Sequence, residues 1–225
     1  MNIVKSVAKA IADWQLGDLE SAMMHACNAL EGTAKKAYPK LSKQSNLQFT
    51  TLIRDNYSIL GPMAIPGLDL EKTRYDVKLD KPKAPGGKPD AADIIYGVHR
   101  CSHNHGQDLP DGYELIPGLN GCQIDFVTGK VRLSEKVIFG LLAIVVFSPV
   151  NAHQKTTYGY FLKFNDHEFP INDWWGRASD FLEIVDNEPT PTLIIREYGE
   201  EGGTPVHKAT EIYIKLYGKG QEEVD

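Results

Sequence analysis

The sequence has little cysteine: Cys27, Cys101 and Cys122 are an odd number at wide spacings, with no Cys-x-x-Cys pair among them. That argues against a disulfide framework and a zinc ribbon, and it fits reduced thiols in a cytoplasm. Long apolar runs are also missing. The longest, 137–147, is about half of what is needed to cross a bilayer. Residues 1–9 carry lysines but lack the continuous apolar stretch of a signal peptide. No membrane segment is expected, and the chain reads as cytoplasmic. An excess of positive charge is absent too: 24 Lys and Arg against 30 Asp and Glu give a net charge of −6. Any contact with nucleic acid therefore has to come from a local cluster, not from the surface as a whole.

What is present is ordinary globular material, 42% hydrophobic and 24% charged. Ile3, Val4, Val7, Ala8, Ala10, Ile11 and Trp14 recur at helical spacing up to Gly17. Asp18 can cap a second helix carrying Leu19, Ala22, Met23, Ala26, Cys27 and Leu30, which stops before Pro39. The short link between the two favours antiparallel neighbours. Ser42 can cap a third helix through Leu47, Phe49, Leu52 and Ile53, ending near Gly61. Over 61–89 the periodicity dissolves among five prolines and four glycines, a long loop whose plain reading is a solvated linker. Lys72, Arg74, Lys78, Lys81, Lys83 and Lys88 make it the most cationic tract of the chain.

Asp90 can cap a fourth helix that ends at Gly106, a natural helix stop. Short strand-like runs over 113–133 suggest a small β-meander, and 135–147 reads as a helix buried on nearly every side. A strand at 158–164 follows, then an amphipathic helix capped by Asn172, then strands at 192–198 and 211–217. Trp174 and Trp175 adjoin, so one belongs to the core and the other to its rim. The fold class expected is mainly α, a helical bundle with an inserted β-meander and a C-terminal α+β extension. The units expected are 1–155 and 156–225.

Chemistry concentrates at the end of the fourth helix. Arg100, Cys101, Ser102, His103, Asn104 and His105 are consecutive, and with His99 the stretch holds three of the seven histidines. Metal-free RNA cleavage needs a base for the 2′-hydroxyl, an acid for the leaving 5′-oxygen and a cation over the phosphorane. Histidine suits the first two roles and arginine the third. On an ideal α-helix, however, residues five apart point roughly 140° away from each other. Arg100 and His105 would then share a site only if the helix unwinds or if two copies meet. A metal site is the competing reading, since His99 and His103 are four apart and His105 could add a third ligand. No Glu follows His99, and Arg100 would repel a cation, so no metal and no cofactor is expected. Cys101 as a nucleophile with His105 as its base is a further reading, and so is simple capping of a helix C-terminus by positive charge. His153, His167 and His207 receive no role.

Arg100, four residues and His105 near a helix end, with Asn104 just inside and Gly106 following, resemble the R-x4-6-H motif of the HEPN superfamily. Residues 25–36, with Glu31 and Lys35, resemble the HEPN helix of Glu-x-x-x-Lys spacing. The resemblance runs from about residue 7 to 106. It implies an up-and-down α-helical bundle that forms a homodimer through the motif helix. It also implies metal-independent cleavage of RNA in a toxin–antitoxin, phage-defence or RNA-processing setting. Carried over by position, Arg100 and His105 are the catalytic pair and Asn104 supports them, with Glu31, Lys35 and His103 secondary. RNA and an antitoxin or other protein are the implied partners. Cys101 stands where active members often carry a polar residue. A non-catalytic module binding a nucleotide or a protein is the alternative that the same resemblance implies. Glu31 and Lys35 also have a plain structural reading, as an i,i+4 ion pair on a helix surface.

Overall fold

Apolar stripes at helical spacing dictate most of the architecture. The computed structural model describes residues 2–75, 79, 82–84, 87–100, 113–118, 122–125, 130–188, 190–197 and 210–217. Helix α1 (Ile3–Gln15) starts where the Asn2 side chain accepts from the Lys5 N–H at 3.0 Å. It ends at Gly17, whose φ of 79° turns the chain sharply. Helix α2 (Leu19–Ala37) is capped by Asp18, which accepts from the Ser21 N–H at 3.0 Å. The two helices pack along each other as their short link requires.

The expected third helix is two. Helix α3 (Ser45–Arg54) breaks at Asp55–Asn56, where the Asn56 amide donates back to the Leu52 carbonyl at 2.8 Å. A side chain that competes with the backbone in this way stops a helix that apolar spacing alone would continue. Helix α4 (Tyr57–Ala64) then passes through Pro62 and runs beyond the stop expected near Gly61. Ser42 caps neither: a 3₁₀ turn at Pro39–Leu41 intervenes and α3 starts at Ser45.

The long loop is not a solvated linker in its described parts. Ile65, Leu70, Tyr75 and Ala84 are buried, and the Tyr75 N–H donates to the Pro89 carbonyl at 2.9 Å. It leads into α5 (Ala91–Ile94), which continues as a π-helix over Ile95–Arg100. The strands expected over 113–133 exist, but their order is not a meander. Strand β3 (Lys130–Ser134) lies between β1 (Tyr113–Ile116), parallel to it, and β2 (Cys122–Asp125), antiparallel to it. Strand propensity identifies such segments without fixing which edges pair.

Helix α6 (Lys136–Phe147) is the apolar helix foreseen, with every residue from Val137 to Phe147 buried except Phe139. It packs on α2 and α4. Its approach to α4 depends on Gly140, where a Cβ would come within 2.7 Å of Leu60 Cδ1 and 2.8 Å of Ala64 Cβ. Each large side chain it buries contributes roughly 1.5–3 kcal/mol. The hairpin of β4 (Phe161–Phe164) and β5 (His167–Pro170) follows, then α7 (Ile171–Trp174) and α8 (Ala178–Asn187). Phe147 stacks on Phe181 at 4.7 Å, and Phe169 meets Trp174 edge-on at 4.6 Å. Residues on both sides of position 155 thus share one core. Trp175 is buried, whereas Trp174 forms the rim, with the Arg177 guanidinium over its ring at 4.3 Å. Asn172 does not cap the helix expected there; it grips Thr156, donating to its carbonyl at 2.9 Å and accepting its N–H at 2.8 Å. Strands β6 (Thr190–Glu197) and β7 (Thr210–Tyr217) form an antiparallel pair close to the expected ranges. Among the described residues no helix is long and apolar enough to cross a membrane.

Candidate functional site

The segment carrying the arginine–histidine motif starts from a buried knot of charge. Asp90 caps α5 by accepting the Asp93 N–H at 3.0 Å. Arg54, at the end of α3, donates Nε to Asp90 at 2.7 Å and Nη2 to Asp90 at 3.0 Å and to Asp93 at 2.8 Å. Asp93 also accepts both the Lys83 N–H, at 2.9 and 3.0 Å, and the Ala84 N–H at 2.8 Å. One guanidinium and two carboxylates therefore join α3, the long loop and the root of the motif helix. Asp90 and Asp93 are only 2% and 3% exposed, so water does little to screen them. Burial pushes the Asp90 carboxyl up, but the Arg54 hydrogen bond, the Asp93 N–H and the guanidinium charge outweigh it and hold it below the usual range. Tyr57 closes the knot, its hydroxyl accepting the Ala92 N–H at 3.2 Å. Burial, and then the Asp90 charge, raise that phenol well above its ordinary value.

Beyond this anchor the winding changes. Ile95–Arg100 forms a π-helix, whose i→i+5 hydrogen bonds widen each turn. The winding over Ile95–Arg100 is therefore not the α winding expected up to Gly106; residues 101–106 lie outside the described residues. Gly97 makes room for this segment to lie against the loop: a Cβ there would come within 2.7 Å of Leu79 Cδ1. Helix α2 packs on the π segment from another side, and Phe49 of α3 meets Tyr96 edge-on at 5.3 Å.

Of the candidate residues, Glu31 and Lys35 are fully described. Glu31 Oε1 and Lys35 Nζ are 2.7 Å apart, the carboxylate nearly buried and the lysine half-exposed. They form the i,i+4 ion pair that their spacing implied, on the helix that packs against the π segment. The backbone of Arg100 closes that segment; its side chain, together with His103, Asn104 and His105, lies outside the described residues. Sequence reasoning missed Arg54, Asp93 and Tyr57, and saw in Asp90 only a helix cap. The available signal was two aspartates three apart at a helix start, which leaves one of them seeking a cation. Nothing local points that aspartate to Arg54.

Among the described residues no three His, Cys, Asp or Glu side chains converge as a metal ion would need. A largely apolar cavity of about 690 Å³ opens between α1, α4, α6 and β4, walled by Trp14, Met63, Phe139 and Phe161. The carboxylate in its wall, Glu135, is engaged, accepting Trp14 Nε1 at 2.8 Å and the Gly118 N–H at 3.0 Å. Of the described candidates, neither Glu31 nor Lys35 lines it.

The described residues define a mainly helical protein with small sheets, in which a clamped, π-wound helix carries the arginine of the motif. The chain belongs to the Rv1289 family, whose model matches residues 2–198. Uncharacterized protein Rv1289 of Mycobacterium tuberculosis and uncharacterized protein Mb1320 of Mycobacterium bovis are each 38% identical to it over 210 residues. Each of these alignments covers 92% of this chain and 99% of the relative. No solved structure matches the chain.

Proposed function

We propose that the protein is a metal-independent endoribonuclease of HEPN type, built on an up-and-down helical bundle and acting as a homodimer. A toxin–antitoxin or phage-defence setting fits that reading. The observation that carries it is the π winding of Ile95–Arg100, directly before the polar run. Such segments are rare, and where they occur they frequently mark functional sites. This one is held at its root by three charge-assisted bonds and packed on both α2 and the long loop.

In this reading Arg100 grips the scissile phosphate and neutralises the charge that builds on the phosphorane. A histidine base takes the 2′-hydroxyl proton, and the 2′-oxygen attacks phosphorus to form a 2′,3′-cyclic phosphate. The P–O5′ bond breaks, and the leaving oxygen receives a proton from a histidine acid. His105 fills one of these roles, and its copy across the dimer the other. Asn104 orients the phosphate, while Glu31, Lys35 and His103 contribute secondarily.

The test is cleavage of a mixed RNA pool in EDTA by the wild type, His105→Ala and Arg100→Ala. General acid–base catalysis typically contributes about 10²–10⁴-fold and a preorganised charge contact about 10²–10³-fold, so His105→Ala and Arg100→Ala should lose rate on those scales while staying folded. Cleavage that persists in both variants would sink the assignment, as would no cleavage by a folded, dimeric wild type. The second reading, a non-catalytic module that binds a nucleotide or a protein partner, is favoured by Cys101 in the position after Arg100. It requires RNA to remain intact.

A further inference from the structure

Away from the motif, α1 carries Lys5 and Lys9, four apart and therefore on one face. Opposite them lies the stretch from Gln154 to Tyr160, and between the two is a cleft of about 580 Å³. Lys5, Lys9, Lys155, Thr157, Tyr158 and Tyr160 are among its walls, and among the described residues no Asp or Glu is. All three lysines are exposed, and among the described residues none has a carboxylate within ion-pair distance. In a chain with a net charge of −6, a cleft whose described walls carry three cations and no anion is a local reversal of the prevailing charge.

The tyrosines supply the second half of the site. Tyr158 and Tyr160 stack at 5.3 Å with 15° between their planes, and Tyr158 is 54% exposed. The outer face of an aromatic pair is thus presented beside the lysines. Its backbone is pre-set, because Asn172 holds Thr156 through two hydrogen bonds and the Thr156 hydroxyl accepts the Tyr158 N–H at 3.2 Å. Ammonium groups recognise phosphate as point charges, and an exposed tyrosine ring is a stacking platform for a base.

We propose that this cleft binds a nucleoside phosphate, with the phosphate on Lys5, Lys9 and Lys155 and the base stacked on Tyr158. The site uses no residue of 91–106 and stands whether or not the chain cleaves RNA. Its ligand chemistry is shared by a free nucleotide and by one unit of a single strand.

Fluorescence anisotropy on the full chain, in a His105→Ala background so that no probe is consumed, tests it with labelled AMP and a short labelled oligouridine. The variants are Lys5→Glu with Lys9→Glu, Lys155→Glu, and Tyr158→Ala, all at exposed positions. Each should weaken binding about tenfold or more. The lysine variants should also flatten the salt dependence of strand binding. The slope of log affinity against log salt should shrink by roughly 0.7 for each phosphate no longer neutralised. Binding of AMP identifies the free nucleotide as a ligand; binding of the oligouridine alone identifies the strand. If neither probe binds, or if both bind all variants equally, the proposal is wrong. It is equally wrong if only the lysine variants matter, since a bare anion has no use for the ring.

Discussion

Arg54→Ala is expected to destabilise the protein by about 3–5 kcal/mol at neutral pH, the cost of leaving buried charge without its partner. The variant removes the guanidinium from two carboxylates that are 2% and 3% exposed. It also frees α3 from the root of the motif helix. At about 2–4 °C per kcal/mol for a chain of this length, the melting temperature should fall by roughly 6–20 °C. The pH dependence has a definite sign. In the wild type Arg54 and the Asp93 N–H hold the Asp90 carboxyl below its unfolded value. That stability is present above about pH 4 and is lost as pH falls through the lowered folded value. In Arg54→Ala burial acts on Asp90 without the guanidinium to oppose it, so its carboxyl sits higher than in the wild type. Acidification therefore costs the wild type more than the variant, whose carboxyl takes up its proton at a higher pH. The gap between the two, measured by urea unfolding, should be widest near pH 7 and narrow towards pH 4. A gap under about 1 kcal/mol that does not change with pH would show that the knot is an ordinary surface-type ion pair.

Gly176→Val is the second large effect, of about 2–5 kcal/mol. Gly176 has a φ of 83°, a left-handed conformation that costs an L-residue about 1–2 kcal/mol. A Cβ there would also come within 2.6 Å of Ala152 Cβ and 2.7 Å of Ala152 Cα. Because one of those atoms is backbone, no rotamer change removes the clash, and forced overpacking adds about 1–3 kcal/mol. The Gly176 N–H donates to the Val146 carbonyl at 2.8 Å, so a shift to relieve the clash would break a bond to the end of α6. Gly17→Ala separates the two contributions. Gly17 shares the conformation, with a φ of 79°, but a Cβ there meets nothing within 4 Å. It should show only the conformational part in denaturant titrations. Equal losses at Gly17 and Gly176 would remove Ala152 from the account.

What could be read from the sequence was local. The α1 and α2 stripes, the Asp18 and Asp90 caps and the buried helix at 136–147 all follow from residues within one or two turns of each other. The Glu31–Lys35 pair was legible for the same reason. The order of β1, β2 and β3 was not, because pairing is decided between segments. The burial of the long loop was hidden because its anchor, Asp93 accepting from Lys83 and Ala84, is a tertiary bond that leaves no periodic mark. Asn172 was misread in the same way: the side chain that could have capped a helix found Thr156 instead. The π winding has no residue code of the kind that spacing gives an α-helix. Gly97, which lies close to Leu79, is one residue within it.

The apolar run of α6 from Val137 to Phe147 also has a consequence during synthesis. On the ribosome, α2 and α4 precede α6 and can cover most of it as it emerges. The Phe147 end differs, because Phe169, Trp174 and Phe181 are translated after it. At about 5–20 residues per second, that end waits roughly two to seven seconds for its last partner. A nascent chain arrested before Phe181 would display an open aromatic socket on an otherwise assembled bundle, which is the form of this protein most prone to chaperone capture and to aggregation.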